Sequence, residues 1–84
     1  MKLTEREARI VALSDALMRE RLSQCQGYVL GWCFVWGVIE IPRANGKQVS
    51  VKHCFGSHCL ADHADADRVA KTVPGVRITH INMD

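Results

Sequence analysis

The stretch YVLGWCFVWGVIEIPRANGKQVSVKHCF, residues 28–55, contains the strongest strand and turn signals of this chain. Its first part, residues 28–42, is rich in Val, Ile and aromatic side chains, which favour β-strands. Asn45-Gly46 follows, a dipeptide typical of a two-residue hairpin turn, and residues 47–55 form the second predicted strand. With this turn Trp36 lies opposite Phe55, so the segment predicts an antiparallel hairpin.

The predicted pairing sorts the hairpin residues into two faces, because side chains of a strand alternate. One set is bulky and is expected to lie under the helices: Trp32, Phe34, Trp36, Val38, Val49, Val51, His53 and Phe55. The other set is mixed and is expected to be exposed or to face a subunit: Val29, Cys33, Val35, Ile39, Ile41, Ser50, Lys52 and Cys54. One-sided periodicity is the usual sign of burial. The aromatic residues are therefore expected to form core, and not a stacking platform for bases.

Helices are predicted on both sides of the hairpin. Apolar residues recur at helical spacing over residues 4–25, and Thr4 with Glu7 has the pattern of a capping box. Gly27 supplies the helix stop. A second helix is expected within residues 57–73.

A final strand is predicted over residues 76–83, where apolar and polar residues alternate. The order is then α-β-β-α-β, a single α+β domain over residues 1–84. Its sheet is three-stranded and mainly antiparallel, with two helices on one face. This order, together with Val73-Pro74-Gly75-Val76 before the last strand, resembles a ferredoxin-like β-α-β-β-α-β domain lacking its first strand. The resemblance implies an open sheet edge and a possible homodimer formed by strand pairing.

Composition excludes several classes of protein. The 84 residues fit one domain. The 11 Lys and Arg against 9 Asp and Glu give a net charge of +2. That balance excludes a nucleic-acid binder that acts by charge alone and an acidic mimic of DNA. The 48% apolar content excludes a disordered chain.

The location of the protein is predicted from two segments. The charged start of the chain lacks the apolar region of a secretory signal. The apolar stretch over residues 28–39 is too short to span a bilayer. We expect a cytoplasmic protein with no membrane contact, in which the cysteines are reduced.

A cluster of potential metal ligands lies within residues 53–63. Zinc prefers thiolate and imidazole ligands, so one alternative is a small zinc-stabilised domain held by Cys54, His58, Cys59 and His63. The cluster contains no Cys-x-x-Cys pair and no second ligand pair at a suitable distance. We therefore expect no metal site and no other cofactor.

Part of the same cluster has the composition of a thiol dyad. Cys59 and His63 are four residues apart and are expected to share a helical face, with Asp62 or Asp65 as the orienting group. No glycine-rich nucleophile elbow or oxyanion loop accompanies them. We expect no enzymatic activity and no catalytic residues.

Charged residues suggest two binding surfaces. Asp62, Asp65 and Asp67 lie at the start of the second helix, where carboxylates complement the helix dipole. They also form an acidic patch that is predicted to contact Arg or Lys groups of a partner. Basic residues lie along the first helix and around the hairpin: Arg6, Arg9, Arg19, Arg21, Arg43, Lys47 and Lys52.

The sequence favours a non-enzymatic protein-binding module. Its length, its single α/β domain and its lack of catalytic motifs resemble the small phage-encoded inhibitors of host defence, such as anti-CRISPR proteins. The resemblance implies binding to a host defence complex and steric blockade of it, with Asp62, Asp65 and Asp67 as the partner-binding residues. The alternatives are the zinc-stabilised domain and a nucleic-acid-binding α/β domain that uses the basic hairpin.

Overall fold

Two helices and three strands follow one another in the computed structural model, which describes residues 2–25 and 31–83. In chain order the elements are α1 (Glu5–Ser23), β1 (Gly31–Pro42), β2 (Gln48–Leu60), α2 (His63–Ala70) and β3 (Val76–Met83). The strands form one antiparallel sheet in the order β2-β1-β3, so β1 is central. The predicted α+β class and the order α-β-β-α-β are confirmed. Gly27 and Val29, assigned from the sequence to the helix stop and the sheet, lie outside the described residues.

The start of α1 is fixed by the predicted capping box, which is confirmed. The Thr4 hydroxyl accepts a hydrogen bond from the Glu7 backbone N–H at 3.1 Å, and the Glu7 carboxylate accepts one from the Thr4 N–H at 3.0 Å. Glu7 is buried, and Arg43 donates to its two oxygens from Nε at 2.8 Å and Nη2 at 3.3 Å. The same carboxylate therefore caps the helix and ties it to the hairpin.

The hairpin turn differs from the prediction by one residue. The Arg43 N–H donates to the Lys47 carbonyl at 2.8 Å, and the Gly46 N–H donates to the Arg43 carbonyl at 3.1 Å. The loop is thus three residues long, 44–46, and ends at Gly46 with φ of 79°. A type I turn followed by a left-handed glycine is the usual three-residue hairpin loop. The predicted two-residue turn and its pairing are wrong: Val38 faces Lys52, and Trp36 faces Cys54.

This shift decides which face of β1 the helices cover. A slip of one residue turns every side chain of a strand to the other face. Val49 and Phe55 of β2 lie in the core, as predicted, but the β1 residues beside them are those assigned to the outer face. The buried residues of the hairpin on the helix side are Cys33, Val35, Ile39, Ile41, Val49, Phe55 and Leu60. The prediction that Trp32, Phe34, Trp36 and Val38 lie under the helices is wrong.

The second half of β2 also departs from expectation. Residues 56–60 continue the strand beyond Phe55, and α2 begins only at His63. A β-bulge interrupts the ladder where Phe55 and Gly56 lie opposite Val35. Gly56 has φ of 92°, a conformation that glycine adopts without strain. The bulge lets β2 extend to Leu60 with His58 and Leu60 buried.

Gly37 of β1 lies in close contact with both β3 and the core. A Cβ atom built there would overlap the carbonyl oxygen of Arg77 in β3 and would come within 3.1 Å of the Phe55 ring. The Arg77 carbonyl belongs to the backbone of the neighbouring strand, so it yields only if the sheet itself deforms. Glycine at this position lets Phe55 lie over the central strand.

Replacing Gly37 with alanine tests this contact. We expect G37A to lower the free energy of unfolding by about 1–3 kcal/mol, the usual cost of overpacking, in urea unfolding followed by tryptophan fluorescence. G46N is the control, because Gly46 has open space around it and asparagine tolerates positive φ. Equal stability of G37A and the wild type would contradict the close packing.

The Glu7–Arg43 contact predicts acid sensitivity. Hydrogen bonds from Arg43 and Thr4 outweigh partial burial and lower the pKa of Glu7 from 4.5 to about 2. Between about pH 5 and pH 2 the unfolded chain therefore takes up a proton that the folded chain does not, so stability falls as the pH is lowered. E7Q should have a lower Tm at neutral pH and a flatter decline over this range. E5Q, which removes an exposed carboxylate from the same helical turn, should keep the wild-type slope.

Candidate functional site

The predicted zinc ligands are dispersed by the strand alternation of β2. Cys54 and Cys59 lie opposite Trp36 and Trp32 on the face away from the helices. His58 is buried on the other face, with its ring Nε2 2.8 Å from the Phe55 carbonyl oxygen. Within residues 2–25 and 31–83, no three side chains of His, Cys, Asp or Glu are grouped to hold a metal. The zinc-stabilised alternative has no site in this part of the chain.

The two residues considered as a thiol dyad, Cys59 and His63, lie in different elements. Cys59 belongs to β2 and His63 is the first residue of α2, so the two residues do not share a helical face as expected. The extension of the strand to Leu60 is the physical reason, since helical spacing does not apply across a strand–helix junction.

The three predicted partner-binding carboxylates lie on or beside α2 with different roles. Asp62 is the N-cap and accepts from the Ala64 N–H at 2.9 Å. Asp65 accepts from the Asp62 N–H at 3.2 Å, which completes a capping box, and it also pairs with Arg68. Asp67 is exposed. Two of the three carboxylates thus stabilise the helix that carries them, and partner binding through the three stays a prediction.

Three of the seven basic residues named from the sequence form ion pairs within the described part of the chain. Arg9 pairs with Glu5, Arg19 with Asp15 and Arg43 with Glu7. The hairpin tip therefore keeps only Lys47 as an exposed cation without an ion pair among the described residues. A basic hairpin is a weaker nucleic-acid surface than the sequence indicated.

A half-buried group of polar side chains joins α1 to β2 on the covered side. The His53 Nε2 lies 2.7 Å from Asp15 Oδ1, and Arg19 Nε lies 2.9 Å from Asp15 Oδ2. Partial burial would raise the pKa of Asp15, but the hydrogen bonds from His53 and Arg19 outweigh it and lower the pKa. The Phe55 ring packs edge-on against His53, with ring centroids 5.1 Å apart. These contacts hold the helix on the sheet.

A cavity of about 570 Å³ lies between α1 and α2. Its cations already have partners, since Arg21 Nη1 donates to the Thr72 carbonyl at 2.6 Å and Arg68 pairs with Asp65. Burial raises the pKa of the Cys25 thiol at its edge, with Asp65 adding to the rise and Arg68 opposing it. The thiol is therefore kept protonated at neutral pH, which does not favour a nucleophile.

The face of the sheet away from both helices carries the largest exposed aromatic surface in the described part of the chain. We call it the open face. It contains Trp32, Phe34, Trp36, Val38 and Glu40 of β1, Ser50, Lys52, Cys54, Ser57 and Cys59 of β2, and Arg77, His80 and Asn82 of β3. Trp32 is 59% exposed and Phe34 is 38% exposed. The aromatic residues alternate along the central strand, so they form one continuous row.

The row ends in a stacked pair. The rings of Trp36 and His80 have centroids 5.5 Å apart and planes within 7° of parallel. A β-bulge in β3 produces this pairing: Ile78 lies opposite Gly37 and His80 opposite Trp36, so Thr79 is the extra residue. The Thr79 hydroxyl lies 3.3 Å from His80 Nδ1. The bulge therefore places an imidazole, not a hydroxyl, beside the indole.

Two cations flank the row next to this pair. Lys52 and Arg77 are the cross-strand neighbours of Val38 on either side. Arg77 pairs with Glu40 at 3.4 Å, and the Ser50 hydroxyl donates to the same carboxylate. Lys52 is exposed and has no ion pair within the described residues. The open face thus combines flat aromatic surface with an excess of positive charge.

Sequence reasoning missed this site because it placed the row in the core. One signal in the sequence points the other way. Glu40 lies in the same alternating set as the three aromatics, whereas Cys33, Val35, Ile39 and Ile41 form an unbroken apolar set. A carboxylate within a set is the mark of the solvated face of an antiparallel sheet.

The fold and the open face define a small two-layer α+β domain with an aromatic and basic sheet surface. Comparison of the chain with protein-family models, with curated proteins and with solved structures finds no match. None of the described helices has the length and apolar character needed to cross a membrane.

The roles of the α2 carboxylates can be separated by mutation. D62A should lower the free energy of unfolding by about 1 kcal/mol, because it removes the N-cap. D67A is the matched control on the same helix and should change it by less than about 0.5 kcal/mol, as exposed substitutions usually do. Thermal unfolding measured by circular dichroism compares the two. Equal stabilities would show that the capping contribution of Asp62 is negligible.

Proposed function

We propose that the protein binds single-stranded nucleic acid on the open face. The observation that carries this is the row of Trp32, Phe34 and Trp36 along the central strand, exposed or half-exposed and flanked by Lys52 and Arg77. Proteins bind single strands by stacking bases on aromatic side chains beside basic groups that follow the backbone. Each stacked base contributes about 1–3 kcal/mol.

The spacing of the row favours a single strand over a duplex. Residues two apart on a strand are about 6.6–6.8 Å apart, roughly twice the 3.4 Å rise per base in a duplex strand. Bases that lie on successive rings must therefore be separated from one another. Only a single strand exposes base faces and has this freedom.

Charge supports the same conclusion with a limited contribution. Lys52 allows about one phosphate contact, whereas Arg77 is already paired with Glu40 and adds at most a second. For single strands each phosphate contact contributes about −0.7 to the log–log salt slope, so the expected slope is shallow, about −0.7 to −1.4, and stacking supplies most of the affinity. This agrees with a net charge of only +2.

The sequence favoured a protein-binding module acting through Asp62, Asp65 and Asp67. The geometry supports the open face better, because Asp62 and Asp65 already cap α2. Inhibition of a host defence complex stays a prediction. Of the two alternatives, nucleic-acid binding is the one we propose, and its surface is the aromatic row in place of the hairpin tip.

Binding of a fluorescein-labelled oligonucleotide of about ten nucleotides tests the proposal. Fluorescence anisotropy at low salt should show binding of the single strand and weak binding of the matching duplex. W32A should weaken binding by about 5- to 150-fold, the equivalent of one lost stacking contact. L13A is the control, because Leu13 is also exposed, at 63%, but lies on α1.

Two outcomes would overturn the proposal. The first is a lack of binding at low salt, or binding that W32A leaves unchanged. The second is a dimer: a mass near twice 9.4 kDa that W32A returns to one chain would assign the open face to a second copy. Analytical ultracentrifugation of both proteins measures this directly.

A further inference from the structure

A pocket of about 380 Å³ opens at the Trp36 end of the open face. Its lining residues come from all three strands: Trp36, Gly37, Val38, Lys52, Thr79 and His80. The volume falls within the range of small-molecule sites, about 300–1,000 Å³. The rest of the aromatic row is flat by comparison, so the pocket is the place where a ligand group is held from several sides.

Each polar side chain of the pocket can donate a hydrogen bond, although the Thr79 hydroxyl and the His80 ring, whose Nδ1 lies 3.3 Å from that hydroxyl, can also accept one. Lys52 carries an ammonium group, Thr79 a hydroxyl, and His80 a ring N–H. No carboxylate lines the pocket, and the nearby Glu40 is already engaged by Arg77 and Ser50. A donor-rich wall without acidic residues favours an anionic ligand with several acceptor oxygens.

A second observation points to a missing ligand. The indole Nε1 of Trp36 is buried and has no hydrogen-bond partner among the described residues. A buried donor without a partner is costly, at about 1–3 kcal/mol. Trp36 is one of the residues that line the pocket, so a ligand with an acceptor oxygen there is a candidate partner for this nitrogen.

We propose that this pocket is a phosphate subsite for one nucleotide of the bound strand. The phosphate oxygens accept hydrogen bonds from Lys52, from the Thr79 hydroxyl and from the Trp36 N–H, while the attached base lies on the aromatic row. The inference rests on the proposed function, and it adds the position at which the strand is anchored. The same chemistry would hold the phosphate of a free nucleotide.

A comparison of 5′-AMP with adenosine distinguishes the contribution of the phosphate to binding from that of the base. In an amide-resolved NMR titration, 5′-AMP should shift the signals of Lys52, Thr79 and His80, and adenosine should bind about tenfold more weakly, the loss expected for charge-assisted hydrogen bonds. K52A should weaken AMP binding by about tenfold. K47A, at the hairpin tip just before β2, should leave it unchanged.

The unpaired indole gives a sharper variant. W36F keeps an aromatic ring but removes the N–H group, so the affinity for AMP should fall by about 5- to 10-fold more than the affinity for adenosine. The Tm of W36F should not fall through loss of a hydrogen bond, because the N–H has no partner to lose. Equal loss for AMP and adenosine would assign Trp36 to stacking alone and overturn its role as a donor.

The outcomes distinguish the two proposals. Oligonucleotide binding that AMP does not displace and K52A does not weaken overturns the phosphate subsite and leaves the stacking surface in place. AMP binding without oligonucleotide binding overturns the proposed function and assigns the pocket to a free nucleotide. Displacement of the oligonucleotide by AMP, with K52A weakening both, supports the subsite on the strand.

Discussion

The register of the β1–β2 hairpin determines which side chains of the central strand form the core and which form the open face. It is set at the turn, where Gly46 at positive φ closes a three-residue loop and Arg43 pairs with Lys47. Arg43 also holds Glu7 at the start of α1, so the turn and the first helix are fixed together. With this register Ile39 and Ile41 face the helices and the aromatic row faces away. A two-residue loop would give the opposite pairing of faces, because alternation in a strand has a period of two.

Local sequence signals were sufficient to predict the helices, the strands and their order. They were not sufficient to predict the register in which β1 and β2 pair. The capping box at Thr4, the last strand and the element order each depend on a few neighbouring residues. The turn type is different, because Asn45-Gly46 fits a two-residue loop and also the end of a three-residue loop. The three-residue loop, in place of the predicted two-residue turn, places every β1 side chain on the face opposite to the one predicted. The arrangement of the Cys and His cluster was predicted wrongly for a related reason. The bulge at Gly56 extends β2 to Leu60, so His58 and Cys59 lie on opposite faces of a strand and do not share a helix with His63.

Exposure of the aromatic row has an energetic consequence for so small a domain. A tryptophan buries about 150–250 Å² when covered, so Trp32 at 59% exposure leaves about 3 kcal/mol of burial unused at roughly 25 cal/mol per Å². That figure is close to the 1–3 kcal/mol, approximately, that a stacked base contributes. A flat aromatic ligand that covers the row would therefore contribute a free energy similar to that which burial of Trp32 in the core would have contributed. The net stability of such a domain is only about 5–15 kcal/mol, which makes the uncovered row a large term.

The two β-bulges connect this surface to the core. They lie on opposite sides of β1, at Gly56 in β2 and at Thr79 in β3, and both occur beside residues 34–37. One bulge turns His58 inward; the other sets His80 against Trp36. Gly37 lies between them, with Phe55 packed close to it in the core and the pocket on its other side. Because Gly37 has no side chain, the Arg77 carbonyl of β3 and the Phe55 ring both lie close to it. The residue that leaves room for Phe55 in the core also lines the pocket, so a side chain added at position 37 would disturb the core and the β1–β3 contact beside the pocket together.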